Sequence, residues 1–349
     1  MIGLSRNLWR MRTWTLAFGF CLLAVFVAMR TLLPGHVLHR MTAYFHAVHI
    51  AASRSRNGSD RVDAASDNGQ PVLYRGKVAV LMWHHLDPSV RGGDIVTPDQ
   101  FAAQLDYLER KGIRFITLQQ FRAFENGGSV PDNAALITFD DGYESFYKYA
   151  YPILKQRSLG GVCFVITGDM RPNAHVYVPH MTPQEIADME KTDPQIEVQP
   201  HTDALHYKID RKHDGLTAYL VKNGTKETEA QYVERITQDT KRCVDTLKKL
   251  NSHAIDTFAY PYGLYTPTVE KVLEQAGIRY AFTVRPGLVG AGTDAMAMPR
   301  INGGSPAMTP KALYKAIVRA ANDQPYNRVP EPILPVRPVY KSGFRAFAA

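Results

Sequence analysis

The run ALITFDDG, residues 135–142, decides the fold. Its apolar part lacks the alternation of a half-exposed strand, so it predicts a strand that is buried on both faces of a parallel sheet. The run stops abruptly at Asp140, Asp141 and Gly142, which places two carboxylates at the carboxyl end of that strand. An isolated Asp-Asp-Gly is usually a solvated turn, so these acids indicate a function only if a second cluster joins them.

On both sides of this run, strand-like stretches alternate with helical patterns. The further strands are predicted at residues 78–82, 115–117, 161–166, 196–199, 257–259 and 280–283. Helices are predicted from Thr97-Pro98, from Thr182-Pro183 with a capping box to Glu185, and near residues 227–250 and 266–275. This alternation predicts an α/β fold, a distorted parallel (β/α) barrel of about seven strands, whose active site lies at the carboxyl ends of the strands.

The second cluster follows another predicted strand, in the run IEVQPHTDALH, residues 196–206. His201 comes directly after the strand, and His206 lies five residues further on. One carboxylate and two imidazoles form a common set of ligands for a divalent transition metal with open positions. The sequence therefore predicts one divalent ion, with zinc expected and nickel, cobalt or iron as alternatives that suit the same ligands.

Two further motifs lie at predicted strand ends. The run FAYPYG, residues 258–263, offers the backbone N–H of Tyr262 to a developing oxyanion, and Tyr260, Pro261 and Tyr262 as a wall for a sugar. Trp83, His84 and His85 end the first strand, and Trp83 is a further candidate for contact with a substrate. Successive residues of a strand point to opposite faces, so only one of the two histidines is expected to face the site.

Together and in this order, these segments resemble the polysaccharide deacetylase family, also called the NodB-homology domain or carbohydrate esterase family four. The resemblance covers residues 76–322, and its first motif is matched in full by residues 138–142. It implies that Asp140 is the general base and that Asp141, His201 and His206 bind the metal. The histidine spacing and the runs LMWHH and FAYPYG look most like the branch that acts on poly-β-1,6-N-acetylglucosamine.

Two departures from the family pattern concern proton transfer. Many members have an arginine where this chain has Ala259, and Arg300 is the candidate that takes its place in orienting the base. The usual late histidine that acts as general acid is absent, because no histidine follows His253. His84 is the first candidate for the acid, His85 the second, and a metal-bound group is the third.

The formal net charge of +8 lies mostly at the two ends of the chain. Residues 1–75 contain nine arginines and three aspartates, and residues 323–349 contain four basic and two acidic residues, so the intervening body is close to neutral. This distribution favours proximity to an anionic membrane surface and argues against nucleic-acid binding.

Cys163 and Cys243 are expected as two buried thiols, with a disulfide between them as the alternative.

Residues 13–29 carry no charge and follow Arg6, Arg10 and Arg12. This pattern predicts a transmembrane signal-anchor with a cytoplasmic N-terminus at residues 1–12. A flexible linker at residues 30–75, the deacetylase domain at 76–322 and a Pro-rich tail at 323–349 complete the predicted organisation. The domain is then expected on the periplasmic or extracellular side of a single-pass membrane protein.

These observations lead to the hypothesis of a metal-dependent N-deacetylase that acts on an N-acetylated polysaccharide, with poly-β-1,6-N-acetylglucosamine of a biofilm matrix as the first candidate. One alternative is the same reaction on peptidoglycan or chitin oligomers. A second alternative is a membrane-tethered carbohydrate-binding protein with a degenerate site. The sequence does not indicate an oligomeric state.

Overall fold

The computed structural model describes residues 71–89, 92–174 and 176–322. The predicted signal-anchor, the tail and all of the linker except residues 71–75 lie outside these residues. Strands β1 to β13 are Lys77–Trp83, His85–Leu86, Ile95–Val96, Arg114–Ile116, Ala134–Phe139, Gly161–Val165, Ile196–Pro200, Val221–Lys222, Thr225–Lys226, Thr257–Ala259, Tyr280–Phe282, Val289–Gly290 and Ile301–Asn302. Helices α1 to α7 are Pro98–Arg110, Leu118–Glu125, Tyr151–Gln156, Pro183–Thr192, Glu229–Lys248, Pro267–Gln275 and Pro310–Ala321.

The helices begin at signals that the sequence carries. A threonine precedes the first residue of α1, α4, α6 and α7, and its hydroxyl accepts a hydrogen bond from the backbone N–H three residues further on. A proline occupies the first helical position in each case, where its missing N–H costs no helical hydrogen bond. The predicted capping box between Thr182 and Glu185 is confirmed.

The main sheet is built around β5 and is parallel in its central pairs. Strand β1 pairs with β5 along its length, from Val78 opposite Ala134 to Trp83 opposite Phe139. Strands β6 and β7 follow on the other side, and β13 adds to the end of β1 with Ile301 opposite Leu81. Because these strands run in the same direction, their carboxyl ends lie at one edge of the sheet. Strands β10 and β11 form a separate parallel pair.

Both faces of the central strands are buried. Ala135, Ile137 and Phe139 of β5 belong to one apolar cluster, whereas Ala134 and Leu136 belong to a second cluster. Such alternation between two cores is expected of a parallel strand that is covered on both sides. The prediction of an α/β fold with a parallel sheet is confirmed.

Several short elements were not predicted from the sequence. These are a π-helical turn at Phe146–Ala150, a 3₁₀ turn at Pro261–Gly263 and the antiparallel hairpin of β8 and β9. A separate short turn, residues 290–293, is closed by a hydrogen bond from the Gly290 N–H to the Thr293 hydroxyl at 2.9 Å.

Cys163 and Cys243 are buried free thiols, so the disulfide alternative is wrong. Within the described part of the chain, no helix has the length and apolar character needed to cross a membrane.

Candidate active site

Asp141, His201 and His206 come together at the carboxyl edge of the sheet, and we call them the Asp141 cluster. One ligand atom from each lies within 4.8 Å of the other two. The Nε2 atoms of His201 and His206 lie 3.4 Å and 3.3 Å from Oδ1 of Asp141. The two imidazole rings are 4.7 Å apart between centroids. The structure therefore assembles the three residues that the sequence assigned to the metal.

A tight left-handed turn after β5 presents Asp141. Asp141 has φ 72° and Gly142 has φ 77°, a region that side chains with a Cβ rarely adopt. A Cβ on residue 142 would also meet the Val165 side chain at 2.8 Å, so only glycine fits there. Strain of this kind persists where the surrounding structure holds it, and it clusters at functional sites.

The backbone fixes the orientation of His201. Its Nδ1 lies 2.7 Å from the carbonyl oxygen of Ala259, an acceptor, so Nδ1 carries the proton and donates it. Nε2 is then left as a lone-pair donor that faces Asp141. Burial lowers the pKa of His206 to about 4, so this imidazole is neutral near neutral pH, as a metal ligand must be.

The Asp141 cluster fits a divalent cation. Oδ1 of Asp141 is buried and accepts no hydrogen bond from any residue that the structure describes. A buried carboxylate oxygen without a hydrogen-bond donor is costly without a positive partner. The mixed carboxylate and imidazole donors suit zinc, nickel, cobalt and iron.

Asp140 lies next to this cluster and is held by Arg300. The guanidinium nitrogens Nη1 and Nη2 donate to Oδ1 at 2.7 Å and to Oδ2 at 2.6 Å, and Nε donates to the Thr283 carbonyl at 2.9 Å. Arg300 is fully buried. Burial raises the pKa of Asp140, but the charge and hydrogen bonds of Arg300 outweigh burial and the pKa falls below its ordinary value. The carboxylate is therefore ionised and fixed in one orientation.

The two histidines at the end of β1 have different surroundings. His84 places Nε2 4.0 Å from Oδ2 of Asp140, and its side chain is 20% exposed. His85 instead places Nδ1 2.8 Å from the Ser145 hydroxyl and Nε2 3.9 Å from Asp87. Only His84 therefore pairs with the Asp140 carboxylate.

Two aromatic residues that the sequence assigned to substrate contact are buried in the core. Trp83 is fully buried between Phe101 and Phe139, and its indole N–H donates to Gln104 at 2.9 Å. Tyr260 is also fully buried, and its hydroxyl donates to the Met296 carbonyl at 2.9 Å. Neither side chain has a surface that a sugar can reach, so the structure corrects both assignments.

Pro261 and Tyr262 form the 3₁₀ turn beside the Asp141 cluster. Pro261 is buried, so its ring is also withdrawn from substrate, whereas Tyr262 is half-buried and has a left-handed φ of 55°. The Tyr262 ring packs against His206 with 4.6 Å between centroids, and the Lys208 ammonium lies 4.4 Å from the same ring. Tyr262 thus supports a histidine of the cluster.

A histidine that the sequence interpretation missed also lies near this edge. The His180 ring packs against Tyr143 with 4.9 Å between centroids, and its Nε2 lies 3.5 Å from Asp169. The N–H groups of Glu144 and Met181 donate to the carbonyls of Pro179 and Gly142, which ties this loop to the turn after Asp141. No periodicity or spacing in the sequence connects His180 to Asp141, because the link is made by tertiary contacts alone.

Comparison with known proteins agrees with this geometry. Residues 127–281 match the family model described as polysaccharide deacetylase. A poly-β-1,6-N-acetyl-D-glucosamine N-deacetylase of Staphylococcus aureus is 29% identical over 206 residues, which is 59% of this chain and 67% of that protein.

Solved structures share the fold. The structure of IcaB from Ammonifex degensii superposes with a TM-score of 0.57 at 28% identity, covering 70% of this chain and 97% of that one. A de-N-acetylase from Aggregatibacter actinomycetemcomitans gives a TM-score of 0.60 at 21% identity, covering 69% of this chain and 99% of that one. At that identity the second likeness supports the fold alone.

Proposed function

Because this chain belongs to the polysaccharide deacetylase family and is a hydrolase of carbon–nitrogen bonds, we propose that it removes acetyl groups from poly-β-1,6-N-acetylglucosamine in a metal-dependent reaction. The single observation that carries the proposal is the buried Asp140–Arg300 pair beside the Asp141 cluster. A fixed, ionised carboxylate beside a cation site is the arrangement that hydrolysis of a stable amide requires. The choice of polymer rests on the named activity of the staphylococcal relative.

Asp141, His201 and His206 are the residues that would hold the ion. When bound, a divalent metal polarises the acetyl carbonyl and lowers the pKa of water. Asp140 accepts the proton as the water oxygen attacks the carbonyl carbon, and Arg300 keeps its carboxylate in position. The Tyr262 backbone N–H donates to the carbonyl oxygen as negative charge develops there.

His84 is the proposed general acid. The carbon–nitrogen bond breaks as the sugar nitrogen takes a proton, which leaves acetate and a free amine. The contact between His84 and Asp140 supports this role, because it places the His84 imidazole beside the proposed base. His85 is the weaker candidate, since its ring nitrogens face Ser145 and Asp87.

We further propose that the parallel strands form a distorted barrel and that residues 13–29 anchor the domain to a membrane on its extracytoplasmic side. The barrel is supported by the parallel central sheet together with the parallel pair β10 and β11. The anchor is supported by the uncharged run and its flanking arginines.

The test is release of acetate from oligomers of β-1,6-linked N-acetylglucosamine, from chitin oligomers and from peptidoglycan. We expect the first polymer to be turned over fastest, loss of activity after dialysis against a chelator, and recovery when zinc is added. Undiminished release after chelation would contradict the metal-dependent mechanism. Faster release from chitin or peptidoglycan would identify the alternative substrate, and polymer binding without acetate release would support the carbohydrate-binding alternative.

A further inference from the structure

The segment between His201 and His206 has no regular secondary structure, yet a carboxylate from a distant helix holds it. Asp239 lies in α5 and is 1% exposed. Its Oδ1 accepts the Asp203 N–H at 2.9 Å, and its Oδ2 accepts the Ala204 N–H at 2.8 Å. One buried carboxylate thus binds two successive N–H groups between the two histidines of the Asp141 cluster.

This segment has an unusual backbone. Thr202 has φ 82°, a left-handed conformation that is costly for a β-branched residue. The N–H groups of Thr167 and Gly168 donate to the carbonyls of Thr202 and Asp203 at 3.1 Å and 2.8 Å. A Cβ on residue 168 would meet the Asp203 carbonyl oxygen at 2.3 Å, so glycine is required there. The strained segment persists because contacts on both of its sides hold it.

Charge around the segment is balanced by neighbouring arginines. The Asp203 carboxylate accepts hydrogen bonds from Thr167 at 2.8 Å, Arg171 at 2.6 Å and Arg242 at 3.1 Å. Arg242 also lies 3.8 Å from Asp239. Asp203 and Asp239 are therefore supported by cations, in contrast to the orphaned oxygen of Asp141.

We propose that Asp239 is a positioning residue that sets the metal affinity of the site by fixing the separation of His201 and His206. The inference rests on the proposed function in one respect, namely that the Asp141 cluster binds a divalent metal. Ligands that are held in place before binding lose less conformational freedom when the ion arrives. Loss of either hydrogen bond lets the segment relax from its left-handed conformation and separates the two imidazoles.

The experiment compares Asp239→Asn and Asp239→Ala with the control Asp245→Asn in the 349-residue chain. Asp245 lies in the same helix but is exposed and pairs with Lys241. In Asp239→Asn the amide oxygen accepts one N–H, while the amide NH₂ faces the other N–H and cannot accept it. The dissociation constant of zinc is measured by chelator competition at a temperature where circular dichroism reports each protein folded.

We expect the zinc dissociation constant to rise about 10- to 100-fold in Asp239→Asn, at least as much in Asp239→Ala, and by less than about twofold in Asp245→Asn. At saturating zinc, acetate release by Asp239→Asn should recover to within a few-fold of the wild type. A purely structural role would lower the melting temperature of the metal-free protein and leave the zinc affinity of the folded protein unchanged.

Zinc affinity within about twofold of the wild type in Asp239→Asn would overturn the inference, whatever the activity. If Asp239→Ala does not fold, Asp239→Asn alone decides. The proposed function fails separately, when zinc binds but no acetate is released from any of the polymers. A shift in zinc affinity under that outcome would leave the role of Asp239 intact.

Discussion

Two clusters of buried charge lie at opposite ends of the parallel strands, and each contains at least one buried carboxylate. At the carboxyl ends, the Asp141 cluster lies beside Asp140 and Arg300. Toward the amino ends, Arg122 binds Glu197, the second residue of β7, at 2.9 Å and Asp256, which precedes β10, at 2.8 Å. Glu190 is buried next to them. We call these four residues the Arg122 cluster.

The two clusters differ in how their charges are satisfied. In the Arg122 cluster, a single guanidinium binds two carboxylates and also donates to the Ala254 carbonyl at 3.1 Å. In the Asp141 cluster, Asp141 has two imidazoles beside it and, among the described residues, no arginine or lysine within ion-pair distance. Burial alone therefore does not identify a functional site. An orphaned acceptor at the carboxyl edge does, because such a group is costly unless a ligand completes it.

The largest expected effect comes from Asp140→Asn. The amide cannot accept a proton from water, so we expect kcat to fall about 1,000-fold or more. The measurement is acetate release at saturating zinc and substrate. Asp132→Asn is the matched control, since Asp132 lies at the other end of β5 in a surface ion pair with Arg75. Wild-type activity in Asp140→Asn would remove Asp140 from the mechanism.

The second prediction concerns the other cluster and changes stability instead of rate. Arg122→Ala leaves Glu197 and Asp256 buried without their cation, which should lower the free energy of unfolding by about 3–5 kcal/mol. Chemical denaturation measures this loss, and kcat well below the melting temperature should stay close to the wild type. Lys241→Ala removes only a surface ion pair and should lower the free energy of unfolding far less. An equal cost for both variants would mean that the Arg122 cluster is not structural.

The third prediction separates His84 from His85. His84→Gln keeps a polar side chain but cannot donate a proton to the leaving amine, so we expect kcat to fall about 100-fold. His85→Gln should lose less than about tenfold, because His85 faces Ser145 and Asp87. Steady-state kinetics of the two variants at saturating zinc decide between them. A larger loss in His85→Gln would reverse the assignment.

The sequence predicts the carboxyl edge of the sheet well because its signals there are local. One strand ends at Asp140 and Asp141, and a second strand ends at His201. Because these strands are parallel, the three residues lie at one edge of the sheet. Arg300 was named as the candidate to replace the arginine that the family pattern has at Ala259, and the structure brings it to Asp140 across 160 positions of sequence. Strand ends are therefore a reliable guide to which side chains converge.

Other features depend on facts that local patterns do not contain. A strand that is buried on both faces has no polar side, so its pattern does not reveal that Trp83 points into the core while His84 lies at the site. Asp239 reaches the His201–His206 segment from 35 and 36 positions away, through hydrogen bonds to backbone groups that every residue possesses. Arg122, Glu197 and Asp256 likewise give no sequence signal, because ion pairs between distant elements have no characteristic spacing.

The smallest predicted effect tests the pH dependence of the Arg122 cluster through Glu190. Burial raises the pKa of Glu190 from its ordinary value of 4.5 to about 8, although the Val198 N–H donates to Oε1 at 2.8 Å. Oε2 has no hydrogen-bond partner within the described ranges, and it lies 3.8 Å from His253. The folded state therefore holds a proton that the unfolded state releases between these two pH values. This contribution to stability is complete below about pH 4.5 and declines as the pH rises toward about 8.

Glu190→Gln replaces the carboxyl with a permanently neutral group of the same shape that still accepts the Val198 N–H. We expect the variant to gain roughly 1–2 kcal/mol relative to the wild type on going from about pH 5 to about pH 8, measured by urea denaturation at both values. Asp188→Asn, an exposed position of the same helix, should show no such gain. If the two variants respond to pH alike, Glu190 is ionised in the folded protein. Both clusters would then contain a buried carboxylate whose charge the protein alone does not fully satisfy.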